Sequence, residues 1–430
     1  MTNALRAQPA ESLRPAYKWW VVGMLWFVCF FNYADRQAIS SVLPLLAREF
    51  NLDDVALGWI GSAFAWVYAA AAPVAGLIAD RRPRKILILV ACVVWSFFTL
   101  ATAWCQGVTA LFVIRALTGL GETFYFPAAM SLLSDYHGQG TRSRAMSWHQ
   151  SAVYAGTILG SWLAAELAER HGWRAPFWWF GPIGIVLALV LFWALREPRR
   201  GSSGAVAEAQ HPAVGTTSLP IGQTLRLLFH TPVALLLMGA FLCANFVAVI
   251  FLTWTPKFLV EKFGYSLGSA GLTGTLYIHL ASALVVPIAG WLADWLGARL
   301  RFGRILVQLI GLSVGAIFVF IVGHTESRVT LVTAMTLFGV CKGMYDSGIF
   351  AALYDAIEPS ARGTAAGIMN TVGWAGGALG PLAVGIATRY GRHPRLIDNM
   401  SEAIALGSVV YVAGALLLGI AAWHRARHAE

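Results

Sequence analysis

Charge is scarce in this chain. Asp, Glu, Lys and Arg make up 12% of its 430 residues, about half the share of a soluble domain. With 58% hydrophobic residues and a mean hydropathy of +0.65, a soluble fold is excluded and the chain belongs to the membrane class. Other absences exclude chemistry. The five cysteines (Cys29, Cys92, Cys105, Cys243 and Cys341) stand singly in apolar runs, with no CxxC and no Cys/His cluster. Free structural thiols follow, and no metal site. There is no GxxxxGK[ST] phosphate loop to drive anything with ATP, and no HExxH or GxSxG. These absences remove the enzyme readings and call for no cofactor.

What is present is long apolar stretches. A crossing helix takes about 20 mostly apolar residues. Twelve candidates begin near Trp19, Ala56, Ile86, Thr109, Ala145, Ala175, Val233, Gly268, Arg304, Val329, Ala365 and Ala403. Barrel strands would be shorter and would alternate polar with apolar, so the expected fold is an all-α membrane protein of twelve helices. The first apolar stretch is too long for a signal-peptide core and reads as a retained span. With the N-terminus in the cytoplasm, the inner loops receive about twice as many Lys and Arg as the outer ones. That bias puts both termini in the cytoplasm and accounts for the net charge of +10, so no nucleic-acid partner is needed.

The longest connection contains GSSGAVAEAQHPAVGTTS. Its small and polar residues read as a flexible cytoplasmic linker over 199–223, between six-helix halves at 1–198 and 224–430. The halves repeat. GLIAD at 76–80 returns as GWLAD at 290–294. Asp135, Arg142, Ala145, Gly156 and Gly160 return 220 residues later as Asp355, Arg362, Ala365, Gly376 and Gly380. Gly119 and Tyr125 return as Gly339 and Tyr345 in that register, and Asn32 returns as Asn245. Two similar halves around a midplane site is the plan of many secondary transporters.

Six charged residues fall inside predicted spans: Asp35, Arg36, Arg115, Glu122, Lys342 and Asp346. Facing lipid, each would cost about 3 kcal/mol, roughly 18 together. They are therefore expected to face a cavity or one another. Asn32 and Arg36 are four apart on one helix face; Arg115, Gly119 and Glu122 share another; Lys342 and Asp346 are spaced to pair. The register makes Glu122 and Lys342 equivalent positions. A carboxylate in a partly dry cavity can take and release a proton, because desolvation disfavours its charged form. A neighbouring Arg or Lys can hold an anion. The alternative is that these charges only lock helices together. Tyr33, Tyr125, Gln150, Asn245, Tyr345, Asn370 and Trp374 complete the candidate binding set. Asn370 and Trp374 lie four apart on one face, where the alternative is helix packing through Asn. His149 is a candidate cavity residue beside Gln150, whereas His279 is expected to be packed and hydrogen-bonded.

These residues resemble the major facilitator superfamily over nearly the whole chain. GLIADRRPRK (76–85) is similar to its G-x-x-x-D-R-x-G-R-R/K loop, with Pro83 in place of Gly. The second copy, GWLADWLGAR (290–299), lacks the Arg after Asp294. RALTGLG (115–121) resembles the R-x-x-x-G-x-G of the fourth span. FNYADRQ, SAFAWVY (62–68), VVWSFFT (93–99) and LTGLGETFYFPA (117–128) look most like the anion:cation symporter family of sugar-acid and other organic-anion carriers. NYADR, RALTGLGE and REPRR also look like the Spinster family of lipid transporters.

The resemblance implies roles. Asp35 and Glu122 would couple protons, Arg36 and Arg115 would bind the anion, and Asp80, Arg81, Arg84 and Lys85, with Asp294 and Arg299 in the second copy, would form a gate. The fifth span carries Ser161 where superfamily antiporters often carry Pro after the second Gly, which weighs against antiport. The expected protein is a monomeric inner-membrane symporter of protons and a small organic anion. A Spinster-like lysolipid carrier, a proton-coupled exporter and a non-transporting receptor are the alternatives.

Overall fold

The computed structural model describes residues 15–198, 221–358 and 361–427. These form fifteen helices: α1 (Pro15–Glu49), α2 (Asp54–Arg81), α3 (Arg84–Thr102), α4 (Val108–Thr123), α5 (Tyr125–Tyr136), α6 (Gln139–His171), α7 (Ala175–Ala194), α8 (Ile221–Phe229), α9 (Pro232–Phe263), α10 (Leu267–Gly297), α11 (Gly303–His324), α12 (Arg328–Asp346), α13 (Ile349–Ala356), α14 (Arg362–Tyr390) and α15 (Leu396–Arg427). Eight of them, α2, α3, α7, α9, α10, α11, α14 and α15, hold stretches long and apolar enough to cross a bilayer. The others are interrupted or too polar to meet that measure alone. α1 carries Asp35 and Arg36, and α6 is polar over its first turns. Phe124 alone separates α4 from α5, and Ser347 and Gly348 separate α12 from α13.

Helix ends follow local chemistry. The Asp53 carboxylate caps α2 by accepting from the Ala56 amide at 2.9 Å, which satisfies one of the free N–H groups of the first turn. α2 stops at Arg82, which is extended (φ −108, ψ 157), because the following Pro83 disfavours helical backbone there. Gly264, at φ +65, ends α9 in the left-handed conformation that glycine adopts without strain. Several sequence-read starts are late by a turn or two. α6 begins at Gln139 rather than near Ala145, and α15 at Leu396 rather than near Ala403, because polar helical turns extend past the apolar stretch. The helix α8 also occupies the last residues of the stretch read as linker. Most of that stretch, residues 199–220, lies outside the described residues.

The sequence repeat recurs as repeated packing. A β-carbon on Gly119 would lie 2.7 Å from the Phe64 carbonyl oxygen, and one on Gly339 2.4 Å from that of Ile278. Each glycine therefore lets two helix backbones touch. The pairs α4/α2 and α12/α10 are thus the same contact, displaced by the offsets of the two sequence repeats.

Helices α1–α7 and α9–α15 form two sets that meet along α2/α14, α6/α10 and α1/α9. Successive helices turn at two faces: a basal face with the start of α1 and the α2/α3 turn, and a distal face with the α1/α2 and α9/α10 turns. Contacts between the sets gather near the distal face. Lys257 Nζ of α9 lies 2.7 Å from Asp54 Oδ1 of α2. The Gly268 amide donates to Glu169 Oε2 at 2.7 Å, and Ser161 Oγ donates to the Gly271 carbonyl at 2.9 Å. Both Lys257 and Asp54 are buried.

Candidate substrate site

A cavity of about 310 Å³ lies between the two helix sets. Tyr33 (α1), Tyr68 (α2), Phe126 (α5) and Gln150 (α6) line one side. Phe241, Ala244, Asn245 and Ala248 (α9), Lys342, Tyr345 and Asp346 (α12), Asn370 and Trp374 (α14) and Tyr411 (α15) line the other. Polar residues placed in an otherwise apolar helix turn inward, because lipid offers them no partner. That is how Gln150, Asn245, Lys342, Asp346 and Asn370 come together from four helices. Lys342 and Asp346 form an ion pair one helical turn apart. The buried hydroxyls of Tyr345 and Tyr411 have no hydrogen-bond partner among the described residues.

The other charges named from sequence do not line this cavity. Arg36 is 8% exposed and is paired with Glu122, which is fully buried. Its guanidinium lies 4.5 Å from the Tyr33 ring centre, 5.1 Å from Tyr68 and 5.5 Å from Trp374. Those three rings line the cavity, so Arg36 and Glu122 sit one ring layer behind its wall. Tyr68 and Trp374 close the layer from the two helix sets, their centres 4.7 Å apart. Arg115 donates from Nη2 to the Arg36 carbonyl at 2.9 Å. Asn32 is buried one turn before Arg36.

Asp35 turns the other way, toward α3, and accepts from Thr99 Oγ1 at 3.3 Å. One oxygen of Asp35 and one of Glu122 have no hydrogen-bond partner among the described residues.

Tyr125 is tied into the packing. Its hydroxyl donates to the Leu25 carbonyl at 2.8 Å and lies 2.9 Å from His149 Nε2. His149 is fully buried there, away from the cavity wall that Gln150 joins. His279 is hydrogen-bonded within its own helix, Nδ1 to the Thr275 carbonyl at 2.9 Å.

At the basal face the repeat produces matching ion pairs. Arg84 is buried, pairs with Asp135, and donates from Nε to Glu197 Oε1 at 2.9 Å. Lys85 donates from Nζ to the Phe192 carbonyl at 2.8 Å. In the second set Arg304 lies 2.6 Å from Asp355 and 2.8 Å from Asp294. Arg84 and Asp135 map onto Arg304 and Asp355 at the same offset of 220. Arg299, the candidate from the second loop motif, instead stacks on Trp295 at 3.8 Å and donates to its carbonyl at 3.0 Å. In the sequence Arg304 marks only the start of a predicted span, although the 220 register already pointed to it. The side chains of Asp80 and Arg81 lie outside the described residues.

This two-set helical fold, with a cavity between the sets and a repeated basal ion pair, is that of a membrane transporter. The chain matches the Major Facilitator Superfamily over residues 25–381 and belongs to it. It is 26% identical over 410 residues to the probable galactarate/D-glucarate transporter GudP of Escherichia coli (strain K12), covering 90% of each chain. It is 26% identical over 430 residues to the D-galactonate transporter of Escherichia coli O6:H1, covering 96% of this chain and 98% of that protein. The structure of a bacterial homolog to the human lysosomal transporter Spinster, inward-facing and unoccupied, superposes with a TM-score of 0.82 at 19% identity, over 95% of this chain and 97% of that one. That likeness is one of fold.

Proposed function

We propose that the protein carries a small organic anion, a carboxylate such as a sugar acid, together with protons by alternating access. It does so as a monomer in the bacterial inner membrane. Twelve crossings form two six-helix bundles, 1–198 and 224–430, with α4/α5 and α12/α13 each acting as one broken crossing. The linker over 199–223 and both termini lie in the cytoplasm, as the basic inner loops favour. The distal face is then the outer one, closed by Lys257 and Asp54, and the cavity is poised toward the cytoplasm.

The observation that carries this reading is the Arg36–Glu122 pair one ring layer behind a polar cavity. With Glu122 ionised, the charge of Arg36 is cancelled. When Glu122 takes a proton, Arg36 is left uncompensated close to the cavity and draws an anion in. Arg115 adds to that positive field, and Asp35, oriented by Thr99, is the second proton carrier. Proton and anion then favour each other's binding, and the linkage is reciprocal. Asp80, Arg81, Arg84 and Lys85, with Asp294 and Arg304, form the basal gate. Relatives named as carriers of galactarate, D-glucarate and D-galactonate support the choice of substrate class.

The test is thermal stability of the purified protein against a panel of sugar acids, other carboxylates, lysolipids and nucleosides. A ligand of the native state at a hundred times its Kd adds about 2.7 kcal/mol. Sugar acids are expected to raise the Tm. A shift with lysolipid and none with any carboxylate would replace this reading with a Spinster-like lipid carrier.

A further inference from the structure

We infer that the substrate is a polyhydroxy monocarboxylate, and that Lys342 receives its carboxylate by exchanging Asp346 for the ligand. The inference rests on the reading of the central cavity as the transport site. Among the described residues lining that cavity, Lys342 is the one cation and Asp346 the one acid. Arg36, with the same charge, is walled off by Tyr33, Tyr68 and Trp374 and held by Glu122. An anion entering the cavity therefore meets an ammonium group first.

The Lys342–Asp346 pair is also the one that can open. Its side chains are 18% and 33% exposed, against 9% and 0% for Arg36 and Glu122. A water-accessible pair one turn apart on a helix is weak, so a competing carboxylate can displace Asp346. The lysine ammonium suits the exchange. It is a compact charge with three donors on a flexible stem, able to hold either acid in turn.

The rest of the wall fits hydroxyls better than a second acid. Gln150, Asn245 and Asn370 offer both amide donors and acceptors. A diacid would bring its second carboxylate into a cavity with no second cation and with Asp346 still negative. An aldonic acid, charged at one end and hydroxylated along the rest, brings one negative charge fewer than a diacid into that cavity.

The test is equilibrium binding to the full chain in nanodiscs, with D-galactonate, galactarate and neutral galactitol as probes. Galactonate is expected to bind at least about tenfold more tightly than galactarate, a difference near 1.4 kcal/mol, and galactitol more weakly than galactonate. Lys342→Gln should weaken galactonate about a hundredfold, and Lys342→Arg should recover most of that loss. Asp346→Asn should tighten galactonate, because the internal competitor is gone. The arginine and asparagine variants keep the test decisive if Lys342→Gln fails to fold. Equal binding of galactonate by wild type and Lys342→Gln, galactarate bound as well as galactonate, or weaker binding in Asp346→Asn would each overturn the inference while leaving the transport site standing. A wild-type protein that binds none of the probes would bring down the site reading and this inference together.

Discussion

Glu122→Gln and Asp35→Asn should each abolish proton-driven accumulation while leaving anion exchange across the membrane largely intact. One proton moved per anion, under a gradient of one pH unit, supports about a tenfold accumulation. The variants should level at equal concentrations inside and out. The two changes act differently. Glutamine at 122 leaves Arg36 permanently without a negative partner, so anion binding should persist and lose its dependence on pH. Asparagine at 35 keeps a hydrogen-bond acceptor for Thr99 and removes a proton carrier. Arg36→Ala, in contrast, strands the fully buried Glu122, and removing one partner of a buried pair costs about 3–5 kcal/mol. Uptake and counterflow in proteoliposomes, measured side by side, separate these cases. Accumulation at the wild-type level in both carboxylate variants would reduce Asp35 and Glu122 to structural partners.

Breaking the distal contact should have an equally large effect on conformation. Lys257 and Asp54 are buried between the two helix sets, 2.7 Å apart, and Glu261 lies 2.9 Å from the same ammonium. Asp54→Asn costs less, because Lys257 keeps Glu261, whereas Lys257→Gln strands the buried Asp54 at about 3–5 kcal/mol on the closed state alone. That corresponds to a shift of roughly two to four orders of magnitude in the open-to-closed ratio. The double change Lys257→Met with Asp54→Leu leaves only the water-accessible Glu261 carboxylate unpaired, so it should return the face toward closure. Spin labels at the exposed positions Arg48 and Arg392 report the gap. The single variants are expected to lengthen the distance and the double variant to restore it. Unchanged distances in both single variants would mean that α2/α14 packing closes this face without the ion pair.

The bilayer class, the helical periods and the internal repeat were readable because they depend on composition and order along the chain. Lys342, Asn245 and Asn370 could be expected in a cavity for a simple reason: lipid cannot satisfy them. Phe241, Phe126 and Tyr411 carry no such signal, since an aromatic residue in an apolar span is equally at home in packing or at the interface. Arg36 was readable as inward-facing. Its position behind a ring layer was not, because that layer forms only when Tyr68 of α2 and Trp374 of α14 meet, more than 300 residues apart in sequence. Tyr125 and Tyr345 are equivalent in the repeat, yet one is tied to Leu25 and His149 while the other reaches the cavity. The difference lies in the neighbours, which periodicity does not encode. The breaks at Phe124 and at Ser347–Gly348 were also hidden, for they interrupt helices whose apolar pattern runs straight through.

The central claim is that anion and proton move together through this cavity. The most direct measurement is D-galactonate uptake by wild-type proteoliposomes with an imposed inward proton gradient, recorded together with internal pH. The account predicts accumulation above equilibrium, internal acidification in step with uptake, and collapse of both with a protonophore. Uptake that proceeds at the same rate and to the same level with and without the gradient, with no accompanying change in internal pH, would contradict it.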